Sequence, residues 1–282
     1  MKLLRYLQEG KVHLGVLRDV AVVNIDGLGF PTMLDIVRSG YPALERIADH
    51  LVTAESALAL KDAKLLAPIE RPGKYLAIGM NYAKHVEEAD KLGVARATHQ
   101  VWFNKQTSCV SGPYDDIEPG VTEKLDYEVE LGLVIGKRAK DVSEADALDH
   151  IFGYFVANDV SARDYQFHSQ TMTMGKSFDT HGPIGPWIVT ADEVVDPQAL
   201  DLRCTVNGEL RQSNNTANMI HKIRSQVAYL TSAFTLDPGD LIATGTPEGV
   251  GVGMEPQSFL KAGDVVRCEI DGIGAIENKV AG

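Results

Sequence analysis

The chain has few cysteines and few basic residues for its length, and it lacks a long apolar run. Among its 282 residues are three cysteines and 27 lysines and arginines, against 39 aspartates and glutamates, so the formal net charge is −12 at pH 7. A negative surface of this kind argues against nucleic acid or an anionic membrane as a partner. Because no apolar stretch approaches the length of a membrane span, no transmembrane segment is predicted either.

The cysteines, Cys109, Cys204 and Cys268, are scattered, odd in number and form no Cys-x-x-Cys motif. They are typical of small core residues in a reducing compartment. The first residues include no continuous apolar segment of the kind found in secretory signal peptides. We therefore predict a cytoplasmic protein whose partners include neither nucleic acid nor a membrane.

The rest of the composition is that of an ordinary globular protein, with 44% apolar and 23% charged residues. Residues 1–67 predict a small N-terminal α+β domain. Pro68 and Pro72 mark the entry into a larger domain, residues 68–282. In that domain seven apolar or alternating segments predict β-strands: 75–79, 127–135, 151–158, 185–190, 200–207, 241–244 and 265–270.

One clear amphipathic helix interrupts these strands. Its apolar face is predicted from Met219, Ile220, Ile223, Val227, Leu230 and Phe234. Many strands and few helices, without a regular β-α-β alternation, favour an α+β, mostly β fold. We expect a β-roll or barrel with helices at its edge.

Glu128 and Glu130 occupy one face of the predicted strand 127–135, opposite a face of apolar side chains. Two positions apart, they point the same way and lie about 6.6 Å apart along the strand. Both can therefore contact one hard cation, and Gly132 next to them leaves room for it. Asp159 follows an apolar run that predicts a buried strand, where a carboxylate needs a partner or a metal. The alternative is a solvated acidic face, followed by an aspartate that caps a turn.

His85 and Glu88 have the spacing of an acid–base pair. They lie three positions apart in a predicted helix that begins at the N-cap Asn81, so they are neighbours on one helix face. A carboxylate next to an imidazole fixes its tautomer and raises its basicity, as a general base requires. An incidental contact on an exposed helix would give the same spacing.

Arg163, Gln166 and Lys176 follow Asp159 and offer two cations and an amide donor, which can hold a substrate carboxylate or stabilise an oxyanion. Alternatively, Arg163 pairs with a structural carboxylate and Lys176 is an exposed loop residue. The Gly-rich segment 243–251 lacks the Lys-Ser/Thr ending of a phosphate-binding loop. We interpret it as a tight active-site turn with backbone N–H groups or Thr246 available to a carboxylate; the alternative is a simple β-turn.

Five motifs follow one another along the chain: Gly79-Met-Asn-Tyr-Ala-Lys-His-Val-Glu-Glu, Asp126-Tyr-Glu-Val-Glu-Leu, Asn158-Asp-Val-Ser-Ala-Arg-Asp-Tyr-Gln, Gly175-Lys-Ser-Phe-Asp-Thr and Thr244-Gly-Thr-Pro-Glu-Gly-Val-Gly. Their order is typical of the fumarylacetoacetate hydrolase family, which the sequence resembles over about residues 70–280. The first 67 residues resemble the smaller, variable N-terminal domain of that family. Among its members, the chain is most similar to those of this length that act on 2,4-diketo acids and acylpyruvates.

The resemblance implies a set of roles for the residues of these motifs. One Mg²⁺ or Mn²⁺ ion per subunit would be held by Glu128, Glu130 and Asp159. The catalytic residues would be His85, Glu88 and Lys176, with His85 and Glu88 as a water-activating dyad on a lid, and the substrate-binding residues Arg163, Gln166 and Thr246. Fumarylacetoacetases use a further aspartate ligand that has no match here, so water is expected to complete the coordination sphere. A homodimer is also implied.

The function implied by the resemblance is hydrolysis of a carbon–carbon bond in a small anionic 2,4-dioxo acid. The substrate would be an acylpyruvate or a diketo-deoxy sugar acid, and the products pyruvate and a carboxylic acid. The same site without attack by water can instead decarboxylate oxaloacetate or isomerise a dienoate. From a different class, a non-catalytic metal-binding or small-molecule-binding module is the other alternative, although binding alone needs no general base.

Overall fold

The computed structural model describes residues 1–55 and 58–282. The α-helices in these ranges are α1 (Met33–Ser39), α2 (Tyr41–Thr53), α3 (Ala83–Lys91), α4 (Arg163–Gln166) and α5 (Ile223–Ala233). The strands are β1 (Lys2–Gln8), β2 (Lys11–Arg18), β3 (Ala21–Asn24), β4 (Leu58–Ala59), β5 (Lys64–Leu66), β6 (Tyr75–Gly79), β7 (Val101–Asn104), β8 (Val110–Ser111), β9 (Leu125–Asp126), β10 (Val129–Ile135), β11 (Ile151–Asn158), β12 (Ser161–Ala162), β13 (Gly182–Thr190), β14 (Asp201–Val206), β15 (Glu209–Asn215), β16 (Leu241–Ala243), β17 (Val265–Ile270) and β18 (Gly274–Lys279). None of the helices in the described ranges is long and apolar enough to cross a membrane.

Most strands form one sheet of 12 strands. Its order is β4-β3-β2-β1-β13-β11-β10-β16-β6-β7, with β5 attached to β1 and β8 attached to β13. A second sheet has the order β15-β14-β17-β18, and β12 pairs with β9 alone. These sheets confirm the mostly β fold class. The strand order of the described residues does not close from β4 to β7, so the barrel stays a prediction.

The N-terminal segment joins the large sheet directly. β1 pairs antiparallel with β13, with Lys2 opposite Val189 and Leu3 opposite Ile188. The two predicted domains therefore share a sheet, and the boundary between residues 67 and 68 stays a prediction.

The large sheet is covered on both faces. Leu131 and Leu133 of β10 belong to one apolar core, together with residues of the four-stranded sheet and of α5. Val134 of the same strand belongs to a second core, together with residues of α1 and α2. Because neighbouring residues of a strand point to opposite faces, the sheet lies between these two cores. Side chains at the start of β10 are therefore buried whichever way they point.

The role predicted for Gly132 is wrong. A Cβ atom at this position would lie 2.2 Å from the ring of Phe155 on the neighbouring strand. Gly132 therefore makes room for an aromatic ring of the core, not for a cation. A side chain on β11, far away in sequence, sets this requirement, so the strand pattern around Gly132 gives no sign of it.

Two predicted helix starts are also wrong. Met219 and Ile220 precede α5, because Met219 forms an isolated bridge with Tyr82 and the Ile220 N–H donates to the Asn81 carbonyl oxygen at 2.8 Å. Asn81 does not cap α3, whose N-cap is Tyr82. Its side-chain Nδ2 donates instead to the Thr244 carbonyl oxygen at 2.7 Å. Asn81 thus joins the start of α3 to the Gly-rich segment.

Candidate metal centre

The pairing of β10 with β11 brings the three predicted metal ligands together. Val129 lies opposite Asn158 in this antiparallel pair, so Glu128, just before β10, lies opposite Asp159, just after β11. The Asp159 N–H donates to the Glu128 carbonyl oxygen at 2.9 Å. Glu130 points to the same face as Glu128. One oxygen from each carboxylate lies within 4.8 Å of the others.

The three carboxylates are buried, with exposed fractions of 4% for Glu128, 1% for Glu130 and 0% for Asp159. This burial contradicts the alternative of a solvated acidic face. Glu130 accepts a hydrogen bond from the Gly245 N–H at 2.7 Å, but it has no lysine, arginine or histidine partner in the described ranges. Burial, reinforced by the charges of Asp159 and Glu128, raises the pKa of Glu130 well above its usual value. A buried carboxylate without a cationic partner, next to two others, fits a hard divalent cation.

Lys176 lies against this cluster. Its Nζ donates to Glu128 Oε2 at 2.8 Å and to Asp159 Oδ2 at 2.7 Å, and the side chain is buried. The alternative of an exposed loop lysine is therefore wrong. Burial alone would lower the pKa of Lys176, but Asp159 and Glu128 outweigh burial and raise it. Lys176 thus stays protonated and supplies positive charge instead of acting as a base.

Gly175 allows the lysine segment to approach α4. A Cβ atom at Gly175 would lie 2.3 Å from the Cα of Gln166 and 2.7 Å from the Ala162 carbonyl oxygen. The Ala162 N–H also donates to the Gly175 carbonyl oxygen at 2.8 Å. The motif Gly-Lys therefore places Lys176 by close backbone contact with the segment that carries Arg163 and Gln166.

Arg163 is paired with two carboxylates. One of the two interpretations of the sequence was that Arg163 pairs with a structural carboxylate, and Asp126 fits that description. Its Nε donates to Asp126 Oδ2 at 2.8 Å, and its Nη2 lies 2.7 Å from Glu128 Oε1. Its Nη1 donates to Gln166 Oε1 at 3.0 Å. Burial would raise the pKa of Glu128, but Lys176 and Arg163 hold it at about 2. Arg163 therefore keeps Glu128 ionised and is itself fixed.

Asp126 was not predicted as a site residue. Besides Arg163, its carboxylate accepts hydrogen bonds from the Gly251 N–H at 2.7 Å and the Val252 N–H at 3.0 Å. It thereby ties the Gly-rich segment to the guanidinium group of Arg163. The sequence shows Asp126 on the same strand face as Glu128, but it gives no indication of these partners.

Lys105 is a buried cation that the sequence analysis missed. Its Nζ donates to Asp159 Oδ1 and, at 3.4 Å, to the Val160 carbonyl oxygen. A lysine just after a short strand gives no local sign of burial. With Lys105 included, three buried cations, Lys105, Arg163 and Lys176, face four buried carboxylates, Asp126, Glu128, Glu130 and Asp159. Asp126, Glu128 and Asp159 are each paired with at least one of these cations, so Glu130 is the carboxylate of the four that is left for a bound cation.

We expect Lys105→Met to destabilise the protein by about 3 kcal/mol, the lower end of the cost of breaking a buried ion pair. The loss is limited because Asp159 keeps its contact with Lys176. Urea unfolding in EDTA measures the change, with Lys64→Met, at an exposed position of β5, as the control. A loss below about 1 kcal/mol, the value of a surface ion pair, would contradict the importance of this contact.

The two residues of the predicted dyad, His85 and Glu88, lie on α3 and are in hydrogen-bond contact. His85 Nδ1 lies 3.1 Å from Glu88 Oε2, and the Gly249 N–H donates to Glu88 Oε1 at 2.8 Å. Glu88 therefore orients the imidazole and also joins α3 to the Gly-rich segment. The side chains of the pair are half-buried, whereas no residue of α3 is fully buried. The role of the pair as a dyad stays a prediction.

His85 and Glu88 line a cavity of about 300 Å³, a volume at the lower end for small-molecule sites. The same cavity is lined by the predicted site residues Glu128, Arg163, Gln166, Lys176 and Thr246. Glu130 and Asp159 are not part of its lining. The arrangement therefore places a base, an amide and two cations next to one edge of the carboxylate cluster.

Thr246 is held by its neighbours in this cavity. Its hydroxyl donates to the Val129 carbonyl oxygen at 3.0 Å and accepts from Gln212 Nε2 at 2.8 Å. Gln212, which the sequence analysis missed, also accepts from the Val129 N–H at 3.0 Å. Thr246 is thus fixed beside β10, and its contact with substrate stays a prediction.

Residues 74–281 match the family model described as fumarylacetoacetate (FAA) hydrolase C-terminal. An oxaloacetate tautomerase of Xenopus laevis, named as mitochondrial, is 45% identical over 251 residues, covering 88% of this chain and 78% of the relative. A crystal structure of maleylpyruvate hydrolase from Sphingobium sp. SYK-6, in complex with manganese(II) and pyruvate, is 31% identical with a TM-score of 0.84, covering 100% of this chain and 99% of the other. A 2-hydroxyhepta-2,4-diene-1,7-dioate isomerase from Mycobacterium marinum is 33% identical with a TM-score of 0.76, covering 100% and 98%. The chain is therefore similar to enzymes that act on small organic acids.

Proposed function

The chain belongs to the fumarylacetoacetate hydrolase family, and from this premise we propose that it is a Mg²⁺- or Mn²⁺-dependent hydrolase of 2,4-dioxo acids. It cleaves a carbon–carbon bond of an acylpyruvate or a diketo-deoxy sugar acid and releases pyruvate and a carboxylic acid. The observation that carries the proposal is one cavity that contains both the His85–Glu88 pair and an edge of the buried carboxylate cluster. The manganese and pyruvate bound to the similar maleylpyruvate hydrolase support both the metal and the product.

Glu128, Glu130 and Asp159 are the residues that would hold the cation. When bound, a divalent cation supplies Lewis acidity that polarises the carboxylate and the 2-oxo group of the substrate and makes a pyruvate enolate a good leaving group. The carboxylates offer hard oxygen ligands, as Mg²⁺ and Mn²⁺ prefer. Glu130, which has no cationic side-chain partner in the described ranges, favours the same occupant.

His85 supplies the general base. Because its Nδ1 faces the Glu88 carboxylate, Nε2 is the nitrogen with the free lone pair, and it takes a proton from water as the water adds to the 4-carbonyl carbon. The C3–C4 bond then breaks, its electron pair passes into the pyruvate enolate, and His85 Nε2 returns the proton to C3. Glu88 keeps the imidazole oriented during both transfers.

Lys176 and Arg163 supply fixed positive charge. Both side chains are held by carboxylates before any substrate arrives, so little reorganisation is needed when negative charge develops on the substrate. Lys176 faces that charge as a protonated amine. Arg163 holds the Gln166 Oε1 through its Nη1. The Gln166 Nε2 donates to Met172 Sδ at 3.7 Å, and its second N–H would donate toward a substrate oxygen.

An oxaloacetate tautomerase is the second candidate, favoured by the 45% identity with the Xenopus laevis relative. Keto–enol interconversion moves a proton between carbon and oxygen and needs no attacking water. A dienoate isomerase or an oxaloacetate decarboxylase would likewise use enolate stabilisation without water. A non-catalytic binding module fits less well, because it has no use for a histidine oriented by a carboxylate.

Assays of acylpyruvates, 2,4-diketo-3-deoxy sugar acids and oxaloacetate test these alternatives. After treatment with EDTA, pyruvate release from at least one 2,4-dioxo acid should return when Mg²⁺ or Mn²⁺ is added. Keto–enol interconversion of oxaloacetate, without cleavage of any dioxo acid, would contradict the hydrolase and favour the second candidate. Binding of the acids without any turnover would favour the binding module.

The assembly and the location of the protein stay predictions. We expect a homodimer, so light scattering across a concentration series should give a mass near twice the 30.6 kDa of the chain. A mass of one chain at every concentration would contradict this. The cytoplasmic location also stays a prediction, and the Xenopus laevis relative is named as mitochondrial.

A further inference from the structure

We propose that Lys124 determines the specificity of this cavity by binding a second, distal carboxylate of the substrate. The preferred substrates are then 2,4-dioxo acids whose tail ends in an anionic group. This inference rests on the proposed function, which places the reacting end of the substrate at the buried carboxylate cluster.

Lys124 is the cavity cation without a carboxylate partner. Of the lysines and arginines that line the cavity, Lys176 is paired with Glu128 and Asp159, and Arg163 is paired with Asp126 and Glu128. The Lys124 ammonium forms no ion pair with any residue in the described ranges. Its Nζ lies over the ring of Phe259, 5.9 Å from the ring centroid. Such a contact at an exposed site is weak, so the ammonium protons remain available to a ligand.

The backbone of Lys124 is fixed beside the site. Its carbonyl oxygen accepts from the Arg163 N–H at 3.0 Å, and its N–H donates to Thr122 Oγ1 at 3.1 Å. The next residue, Leu125, accepts from the Leu260 N–H at 2.8 Å. The lysine side chain therefore starts from a rigid segment, directly next to a cation of the buried cluster.

The walls of the cavity suit a carbon chain that ends in a charge. Glu128 and Lys176 are buried and mark its closed end, whereas Lys124 is exposed and marks its mouth. Apolar side chains make up much of the lining, among them Val101, Phe103, Phe167, Met172, Val250 and Val252. In a protein with a net charge of −12, an anionic group at the mouth needs a local cation to offset repulsion. Lys124 is the residue placed to provide it.

A matched pair of substrates isolates the distal carboxylate. Succinylpyruvate and butanoylpyruvate have the same number of carbons and differ in whether the tail ends in a carboxylate or in a methyl group. We expect the wild-type kcat/KM to be about fivefold to tenfold higher for succinylpyruvate, a modest factor because an exposed ion pair is weak. The preference should appear mainly in KM, because Lys124 lies away from the reacting atoms.

Lys124→Met keeps much of the apolar stem and removes the charge. It should abolish the preference while changing kcat/KM for butanoylpyruvate less than twofold, and Lys124→Arg should restore the preference. Lys11→Met, an exposed lysine outside the cavity, is the matched control and should change neither substrate. Equal wild-type activity on the two acids, or an equal loss on both in Lys124→Met, would overturn the proposal.

A binding measurement separates this inference from the proposed hydrolysis. 2-Oxopimelate and 2-oxoheptanoate are the corresponding acids without the 4-oxo group, so they cannot be cleaved at C3–C4. Calorimetry in Mg²⁺ should show tighter binding of 2-oxopimelate to the wild type and equal binding to Lys124→Met. That result would support the role of Lys124 in binding the distal carboxylate even if neither dioxo acid were hydrolysed. Equal binding of the two acids to the wild type would contradict this role without contradicting the proposed hydrolysis.

Discussion

Replacing His85 by Gln should lower the rate of 2,4-dioxo acid hydrolysis by about 10²–10⁴-fold, the usual contribution of a general base. Gln keeps a polar group of similar reach but cannot accept the water proton at neutral pH. The Glu88 carboxylate, still held by the Gly249 N–H, would have no imidazole to orient. The loss should appear in kcat, measured by pyruvate release at saturating Mg²⁺.

Two comparisons make this result specific. His99→Gln changes an exposed histidine outside the cavity lining and should leave the rate unchanged. Decarboxylation of oxaloacetate needs no attacking water, so it should fall much less than hydrolysis in His85→Gln. Wild-type hydrolysis by His85→Gln would show that the dyad has no catalytic role, even if the metal site were confirmed.

The alternation along β10 was sufficient to predict that Glu128 and Glu130 share a face, because strand periodicity is a local property of the backbone. The position of Asp159 opposite Glu128 depends on the register between β10 and β11. That register is set by tertiary packing. The local sequence pattern therefore predicted that Asp159 ends a buried strand, but not that it lies opposite Glu128. Strand periodicity could not group Asp159 with Glu128 and Glu130 as ligands of one metal ion; the family resemblance implied this grouping.

The contacts that were missed are distant in sequence. Lys105 meets Asp159 across 54 residues, and Arg163 meets Asp126 across 37. Neither residue has a local pattern that distinguishes a buried cation from a solvated one. The start of α5 was misplaced for a related reason: Ile220 has helical spacing, but its backbone N–H bonds to Asn81 across the chain. The helical spacing continues back to Ile220, but this long-range hydrogen bond keeps Ile220 outside the helix.

Replacing Glu130 by Gln should remove metal-dependent activity of every kind and weaken Mg²⁺ and Mn²⁺ binding by at least about 100-fold, since even residues behind metal ligands are worth about 10–100-fold. Gln has nearly the same shape and can still accept the hydrogen bond from the Gly245 N–H, which is 2.7 Å long in the wild type. Hydrolysis, decarboxylation and tautomerisation should therefore all fall together, unlike in His85→Gln. Calorimetry with each metal measures the affinity, with Glu45→Gln on the surface of α2 as the control.

Although Glu130→Gln should lose metal binding and activity, it should not lose stability when the protein is metal-free. Burial and the neighbouring Asp159 and Glu128 raise the pKa of Glu130, so the folded state binds its proton more tightly than the unfolded state does. A raised carboxyl pKa lowers stability as pH increases through the range between the unfolded and folded values. In EDTA at neutral pH, Glu130→Gln should thus unfold at the same urea concentration as the wild type or a higher one, and the difference should shrink as the pH is lowered. A variant that lost metal binding only because it misfolded would be less stable in EDTA, and one that kept wild-type affinity would exclude Glu130 as a ligand.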